Sequence, residues 1–534
     1  MHQLIFRLNR WLAGQGEACP DHFRGWENAL ERFAEKYRLL LVGAVSILYL
    51  AATVQLAKAK LIWTDEFFTL YLGRLGPREL WNALLTGGDQ HPPPFYLIHN
   101  LFLRIFGEHP WSLRLPPILG FLLMMLCIYQ FVARRTSTTY GLVAMVMPLA
   151  TVAHEYAYEA RGYGLVLGFI ALAVLCWQQT GESNLRTAAV LGLAAALIGA
   201  VSSHYYAVLL LPAIALAETV RSLRCKSWNP RVWLAVCSPV VLLLAFLPVI
   251  RSSSRFGATF WAKAQFHEIN LFYRSILGWG ITGWGVGLAA AGLYLMFRNH
   301  GRKPRFAVSG SMPVEEIVLA VALAAAPVTA YLFARVFTGA FAWRYAIGGV
   351  VGIAILFGIF NFKVFRGNVA AGSLIVIAII GFFLGNAQVR MQDLVSEQRG
   401  LRNVIGLLET EGDRSEPLII GDSKTFYALC YYGPSTMKER LLYLVDAQRS
   451  LQYLRHDTNE RSLWALYPWF GVKVKAYKPY IETHRKMIIW AGVDPKWSWL
   501  PSALIDDGEK LTVLGRRGIG MLFLVRGGEA GLEH

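Results

Sequence analysis

Charged side chains are scarce in this chain. Asp, Glu, Lys and Arg supply 16% of the 534 residues, whereas 55% are hydrophobic and the mean hydropathy is +0.40. A single soluble core cannot hide that much apolar surface, so a freely soluble globular domain is excluded and a bilayer must be the main solvent. Cysteine is sparse too. The six (Cys19, Cys127, Cys176, Cys225, Cys237 and Cys430) are scattered, with no C-x-x-C pair and no metal-ligand spacing, and they carry no assignable chemistry. Repeats of fixed period and low-complexity tracts are missing. So is a cleavable leader: residues 1–38 are polar and amphipathic, with Trp11, Phe23, Trp26 and Phe33 among mixed charges, and lack an apolar core followed by a small-residue cleavage site. Acid is the scarcer sign, 35 against 52, which leaves a net charge of +17. That excess is spread over many short loops rather than gathered in a patch, so it is read as membrane topology, and nucleic acid is not an expected partner.

What is present is apolar sequence of helical length. A spanning helix needs about 20 mostly apolar residues. The candidates are Leu39–Leu56, Trp111–Val132, Gly141–Ala153, Gly164–Trp177, Ala188–Ser202, Tyr206–Ala217, Trp233–Ile250, Ile276–Met296, Ile317–Val336, Ala346–Phe360 and Ala370–Leu384, about eleven spans. With a cytoplasmic N-terminus, the dense basic loops fall on one side: Arg134 and Arg135, Arg186, Arg221 with Arg224, Lys226 and Arg231, Arg298 with Arg302, Lys303 and Arg305, then Lys363 and Arg366. Pro92–Gly107 is apolar enough to tempt a twelfth span. Counting it would put the later basic loops outside, so it is laid flat in the interface as an amphipathic helix.

The expected architecture is therefore an all-α polytopic membrane protein with a C-terminal exoplasmic α/β domain. Residues 1–38 form a cytoplasmic segment, 39–386 the membrane domain, 57–110 its long first exoplasmic loop with interface helices, and 387–534 the soluble domain. In that tail Leu394–Leu408 reads as an amphipathic helix, Pro417–Asp422 as a strand and Lys424–Tyr432 as a helix. Leu511–Leu514 and Met521–Val525 read as a hairpin turning through Gly515-Arg516-Arg517-Gly518.

Polar residues that could carry chemistry cluster in the outer loops. The first loop holds Thr64-Asp65-Glu66 just past the first span, and later Asp89-Gln90-His91 before three prolines. Acids near a helix start can be caps favoured by its dipole; the functional reading is a carboxylate general base for an acceptor hydroxyl. Arg161 and Arg344 stand at helix ends, where arginines commonly anchor in the interface. His204 can be a polar core histidine.

The Asp-Glu pair followed by Asp-x-His-Pro-Pro resembles the protein O-mannosyltransferases and their bacterial relatives in the GT-C superfamily, including the enzymes that modify lipid A core, polysaccharide or protein. Trp111-Ser112-Leu113-Arg114-Leu115-Pro116 resembles that family's Arg-Leu-Pro lead into the next helix. Glu159-Ala160-Arg161-Gly162-Tyr163 is similar to its Arg-x-Tyr site, Ser203-His204-Tyr205-Tyr206 to its third outer loop, and Arg344-Tyr345 to its late Arg-Tyr. The order is kept from Ile62 to Gly352, and the likeness thins after about Phe360.

The resemblance implies a GT-C-like membrane fold. It further implies an inverting transfer of one sugar from a polyprenyl-phosphate donor to a hydroxyl of a glycolipid, polysaccharide or protein, on the exoplasmic face of a bacterial cytoplasmic membrane. Asp65 would be the base, with Glu66 and Asp89 orienting it or the acceptor; His91, Arg161, Tyr163, His204, Arg344 and Tyr345 would hold substrate, the arginines gripping the phosphate. No cofactor is expected. A divalent ion could sit where Asp65, Asp89 and His91 converge, but the pattern does not require one, and no metal ligands are assigned. Two rival classes are a ligase or polymerase of whole glycan chains and, with less support, a lipid-linked sugar flippase, which should show midplane charges and broken helices in related halves.

Overall fold

In a computed structural model of the chain, residues 20–182, 186–255, 257–298, 312–410, 416–484, 486–492, 497–518 and 520–527 are described. Helices dominate them, and the fold is that of a multi-pass membrane protein. Every one of the eleven apolar stretches read from the sequence falls on helix. By length and composition five helices can cross a membrane alone: Arg38–Ala59 (α1), Pro110–Ala133, Arg186–Ser203, Tyr205–Cys225 and Val369–Thr410. Four more crossings are possible if each bent pair counts once, and Thr138–Ala150 and Gly349–Val364 are shorter apolar helices.

The bends are not visible in the sequence, where each apolar stretch reads as a single span. They range from 51° at 279–280 to 109° between Val152–Tyr158 and Tyr163–Gln179. Pro248 and Pro327 sit at the first or second position of the helices that resume after two of the breaks. A proline lacks the N–H that a continuing helix needs but suits a fresh start.

The bundle is held close by small residues. A Cβ on Gly120 would lie 2.5 Å from the Gly164 carbonyl oxygen, and one on Gly168 would lie 2.3 Å from that of Gly120. The backbones of Pro110–Ala133 and Tyr163–Gln179 therefore touch, as small residues allow between membrane helices that gain little from apolar burial. Charges gather at one end of this bundle. Arg135 bonds Glu316 through Nη2 at 2.5 Å, Arg224 pairs with Glu315, Arg221 with Glu218 and Arg134 with Glu182. Glu35 of the N-terminal helix Pro20–Lys36 accepts from the Thr138 amide at 2.9 Å at the same end. Of the basic loop after Met296, residues 302–305 lie outside the described residues.

At the opposite end the first outer loop forms three short helices, Thr64–Gly73 (α2), Pro77–Leu85 and Pro93–Phe106 (α3). The helix α3 matches the segment expected to lie flat. Its C-cap, Gly107, has φ +78, a conformation that favours glycine.

The last span and the amphipathic helix expected after it are one element. Val369–Thr410 (α4) is 42 residues long, so the boundary drawn at residue 386 falls inside continuous helix. Loss of apolarity does not by itself end a helix, and Ala387 to Glu397 are mostly good helix formers.

Beyond α4 comes a six-stranded sheet in the order β3-β2-β1-β4-β6-β5, with strands β1 Leu418–Ile420, β2 Leu441–Val445, β3 Val474–Ala476, β4 Lys486–Gly492, β5 Lys510–Arg517 and β6 Gly520–Arg526. Strands β3, β2, β1 and β4 run parallel, Leu418 facing both Leu441 and Ile488; β6 and β5 add an antiparallel edge. The hairpin was expected to turn through Gly515–Gly518, but Arg516 and Arg517 are in strand, opposite Met521 and Gly520. A register shift between Val513 and Gly515 absorbs the odd residue.

The sheet domain rests on the first outer loop. Phe67, Phe68 and Tyr71 of α2 pack in one apolar cluster with Tyr427, Leu463 and Phe470. The Ile62 amide donates to the Tyr432 hydroxyl at 2.9 Å, and Gln398 of α4 to the Ala59 carbonyl at 2.6 Å.

Candidate active site

The site begins at the N-terminus of α2. Trp63 is its extended N-cap, and Glu66, three residues on, reaches back to the Trp63 amide at 3.3 Å. Nothing else about Glu66 suits an exposed catalytic acid. It is fully buried, its Oε1 accepts from Arg114 Nε and the Ala160 amide at 2.7 Å each, and its Oε2 takes Arg114 Nη2 at 2.5 Å. Burial works against its charge, but Arg114 and Lys60 outweigh that and hold its pKa below the ordinary value. Arg114 spends its other donors on the Ala57, Lys60 and Leu61 carbonyls at 2.6–2.8 Å. The pair thus caps α1, starts α2 and pins the 160 turn to both; Glu66 positions its neighbour Asp65.

Asp89 and Arg161 form a second buried pair, both under a tenth exposed. Arg161 Nη1 lies 3.1 Å from Asp89 Oδ2 and Nη2 lies 3.3 Å from Oδ1. The Tyr96 hydroxyl donates to Oδ2 at 2.7 Å. Arg161 also donates to the Asp65 carbonyl at 3.0 Å, to Thr69 and to His91 Nδ1 at 3.0 Å. Burial opposes the Asp89 charge, but Arg161 and His91 more than offset it, and its pKa falls far below the carboxylate range. The fork of Arg161 is filled by protein in this structure, so it braces the loop, and Asp89 is its counter-ion.

His91 stays neutral. Burial, then the nearby Arg161, push its pKa down to about 4. Because Arg161 donates to Nδ1, the proton sits on Nε2, which is buried and has no partner among the described residues. A buried donor at this point can take a further acceptor.

Asp65 and Arg344 are left open. Arg344 Nη2 stands 3.8 Å from Asp65 Oδ2, with the side chains 21% and 35% exposed. The Arg344 guanidinium lies over the Trp261 ring at 4.9 Å, and among the described residues its Nε has no partner. Around them runs an aromatic wall: His204 lies 5.0 Å from His91, 5.5 Å from Tyr163 and 5.4 Å from Tyr345, ring centre to ring centre. Gly162 makes this approach possible, since a Cβ there would lie 2.3 Å from the Ser203 carbonyl oxygen.

The nine residues singled out in the sequence are thereby brought together from five separate segments. A divalent ion at Asp65, Asp89 and His91 would have to displace Arg161, and among the described residues no three acidic, His or Cys side chains are grouped to hold a metal. Sequence reasoning did not assign Arg114, although it lay inside a quoted motif. Nor did it find Trp261, which meets Arg344 through tertiary structure alone.

Comparison with known proteins bears out the resemblance carried by these motifs. Residues 90–251 match the family described as dolichyl-phosphate-mannose-protein mannosyltransferase. A search of curated proteins finds no match by sequence. Among solved structures, apo ArnT from Cupriavidus metallidurans is similar with a TM-score of 0.56 at 13% identity, over 91% of this chain and 97% of that one. The same protein bound to undecaprenyl phosphate gives 0.55 at 12% identity, over the same shares. The two chains share a fold over those shares of their lengths.

Proposed function

We propose that this chain is a membrane glycosyltransferase that moves a single sugar from a polyprenyl monophosphate to an acceptor hydroxyl, with inversion at the anomeric carbon. The observation that carries the reading is the open Asp65–Arg344 pair at 3.8 Å, set in an otherwise braced site at the end of the bundle opposite the basic turns. The mannosyltransferase family match and the ArnT-like fold, seen elsewhere with undecaprenyl phosphate, support the lipid-linked donor.

Asp65 takes the proton of the acceptor hydroxyl as its oxygen bonds to the anomeric carbon. The bond from that carbon to the phosphate oxygen breaks, and the polyprenyl phosphate departs with an added negative charge. Arg344, whose Nε lacks a partner among the described residues, meets that charge as it grows, which favours the transition state over the ground state. His91 Nε2–H supplies a further donor. Glu66, Arg114, Asp89 and Arg161 do not touch substrate; they fix the backbone on either side of Asp65. The basic turns then face the cytoplasm of a bacterial inner membrane and the site faces outward.

Turnover of polyprenyl-phosphate sugars by purified, reconstituted protein tests this. Asp65→Asn should lower transfer more than about a hundredfold, the low end of general base catalysis, with folding intact. Arg344→Lys, which keeps the charge but loses the fork, should also lower it substantially. Unchanged kinetics in Arg344→Lys would remove the phosphate assignment, and failure of the wild type to consume any such donor would overturn the reading. Mass spectrometry of lipid A, glycans and envelope proteins from cells with and without the gene would name sugar and acceptor together.

A further inference from the structure

A polar cleft of about 400 Å³ opens where the first outer loop meets the sheet domain. Its loop side carries Tyr71 and Arg74; its domain side carries Tyr431, Lys438, Phe470 and Lys473. The Tyr71 and Phe470 rings stack at 4.8 Å, and the Arg74 guanidinium lies 4.9 Å over Tyr71. Glu108 is the single carboxylate in the lining, and Arg74 already binds it.

The two lysines are different. Lys438 Nζ donates to the Tyr431 carbonyl at 2.8 Å and Lys473 Nζ to the Glu439 carbonyl. Among the described residues neither meets a carboxylate. An ammonium has three donors, so each holds a fixed position and keeps donors to spare. Three cations against one carboxylate, with the Tyr71 and Phe470 rings buried behind them, is an arrangement for a small anion, and the volume falls in the range of small-ligand clefts.

We infer that this cleft binds an anionic saccharide. Resting on the proposed transfer function, it is the remote hold on the acceptor. One helix links the two places: α2 carries Asp65 in its first turn and ends beside Arg74, about 14 Å along its axis at 1.5 Å per residue. An acidic glycan held at the seam therefore has its chain within reach of the proposed base. The cleft has walls from both parts of the chain, which gives the sheet domain a role in acceptor choice.

The test is calorimetric titration of full-length protein in detergent with tri-galacturonate and with uncharged maltotriose, for wild type, Lys438→Gln/Lys473→Gln and Arg344→Lys. Wild type should bind the acidic trisaccharide at least tenfold more tightly than the neutral one. The double lysine variant, both of whose sites are exposed, should lose at least tenfold, and Arg344→Lys should bind as wild type does. Equal binding of both saccharides, binding of neither, or no change in the lysine variant overturns the inference. Loss in Arg344→Lys alone would place the ligand at the donor site and overturn it as well. Displacement by inorganic phosphate at millimolar concentration would show a general anion site and refute the saccharide assignment. Donor turnover is read separately, so the transfer function can fail while this titration succeeds.

Discussion

At the scale of single residues the site divides into braced and open charges. Glu66–Arg114 and Asp89–Arg161 are buried ion pairs whose oxygens and N–H groups are taken up by protein. Such pairs add little net stability, but losing one partner strands a buried charge at a cost of about 3–5 kcal/mol. Glu66→Gln should therefore lower the thermal midpoint and the yield of purified protein sharply, while Asp65→Asn, at an open position, leaves both near wild type. Comparing melting curves of the two variants in one detergent checks this, and a Glu66→Gln protein as stable as Asp65→Asn would remove the bracing role. The sequence revealed that these residues belong together, because the motifs keep their order. It could not show which acid was exposed: Asp65 and Glu66 are adjacent, and only the packing of Arg114 against the end of α1 buries the second.

At the scale of elements, apolar length located the helices and missed what joins them. Span lengths follow from hydropathy, so all eleven stretches were legible; the 109° break before Tyr163 was not, because it lies where Gly162 passes the Ser203 carbonyl, a contact made only in space. In the tail, β1 and the final hairpin showed as short apolar runs bounded by turn residues, whereas β3 is three residues long and exists by pairing with β2. One element of that domain has a pH dependence of its own. Glu460, on the helix Thr458–Phe470, is buried, with Tyr443 and Trp499 both donating to Oε1 at 2.9 Å and no partner for Oε2 among the described residues. Burial raises its pKa to about 7, with Trp499 and Tyr443 pulling the other way. Between the ordinary carboxyl range and about pH 7 the folded domain keeps a proton that the unfolded chain releases. The unfolded state then binds fewer protons, and stability falls as pH rises through that window. Thermal midpoints at pH 5 and pH 8 should differ more in wild type than in Glu460→Gln, and an equal difference would deny the residue this role.

At the scale of the whole molecule the ion pairs at one end and the site at the other define a polarity. The positive-inside rule turns that polarity into an orientation. Single cysteines at Arg135 and Arg224 should react with impermeant reagents from the cytoplasm alone, and one at Lys510 from outside alone. Labelling of Lys510 from the cytoplasm would reverse the scheme and with it the face on which transfer takes place.

The long helix α4 makes the two halves of the molecule a matter of phase. Its 42 residues rise about 63 Å, roughly twice the thickness of a hydrocarbon core, without a joint. Every residue added to a helix turns the chain beyond it by about 100° and advances it about 1.5 Å. One alanine inserted after Arg390 would swing the sheet domain round like a key cut one notch out of register. It would carry Tyr432 away from Ile62 and Leu466 away from Gly88, where they now meet. Inserting seven residues restores the azimuth to within about 20° but lifts the domain about 10 Å, at the same rise per residue. The loop end would then be uncovered in both variants, for opposite reasons, and cross-linking between cysteines at Ile62 and Tyr432 should fail in each.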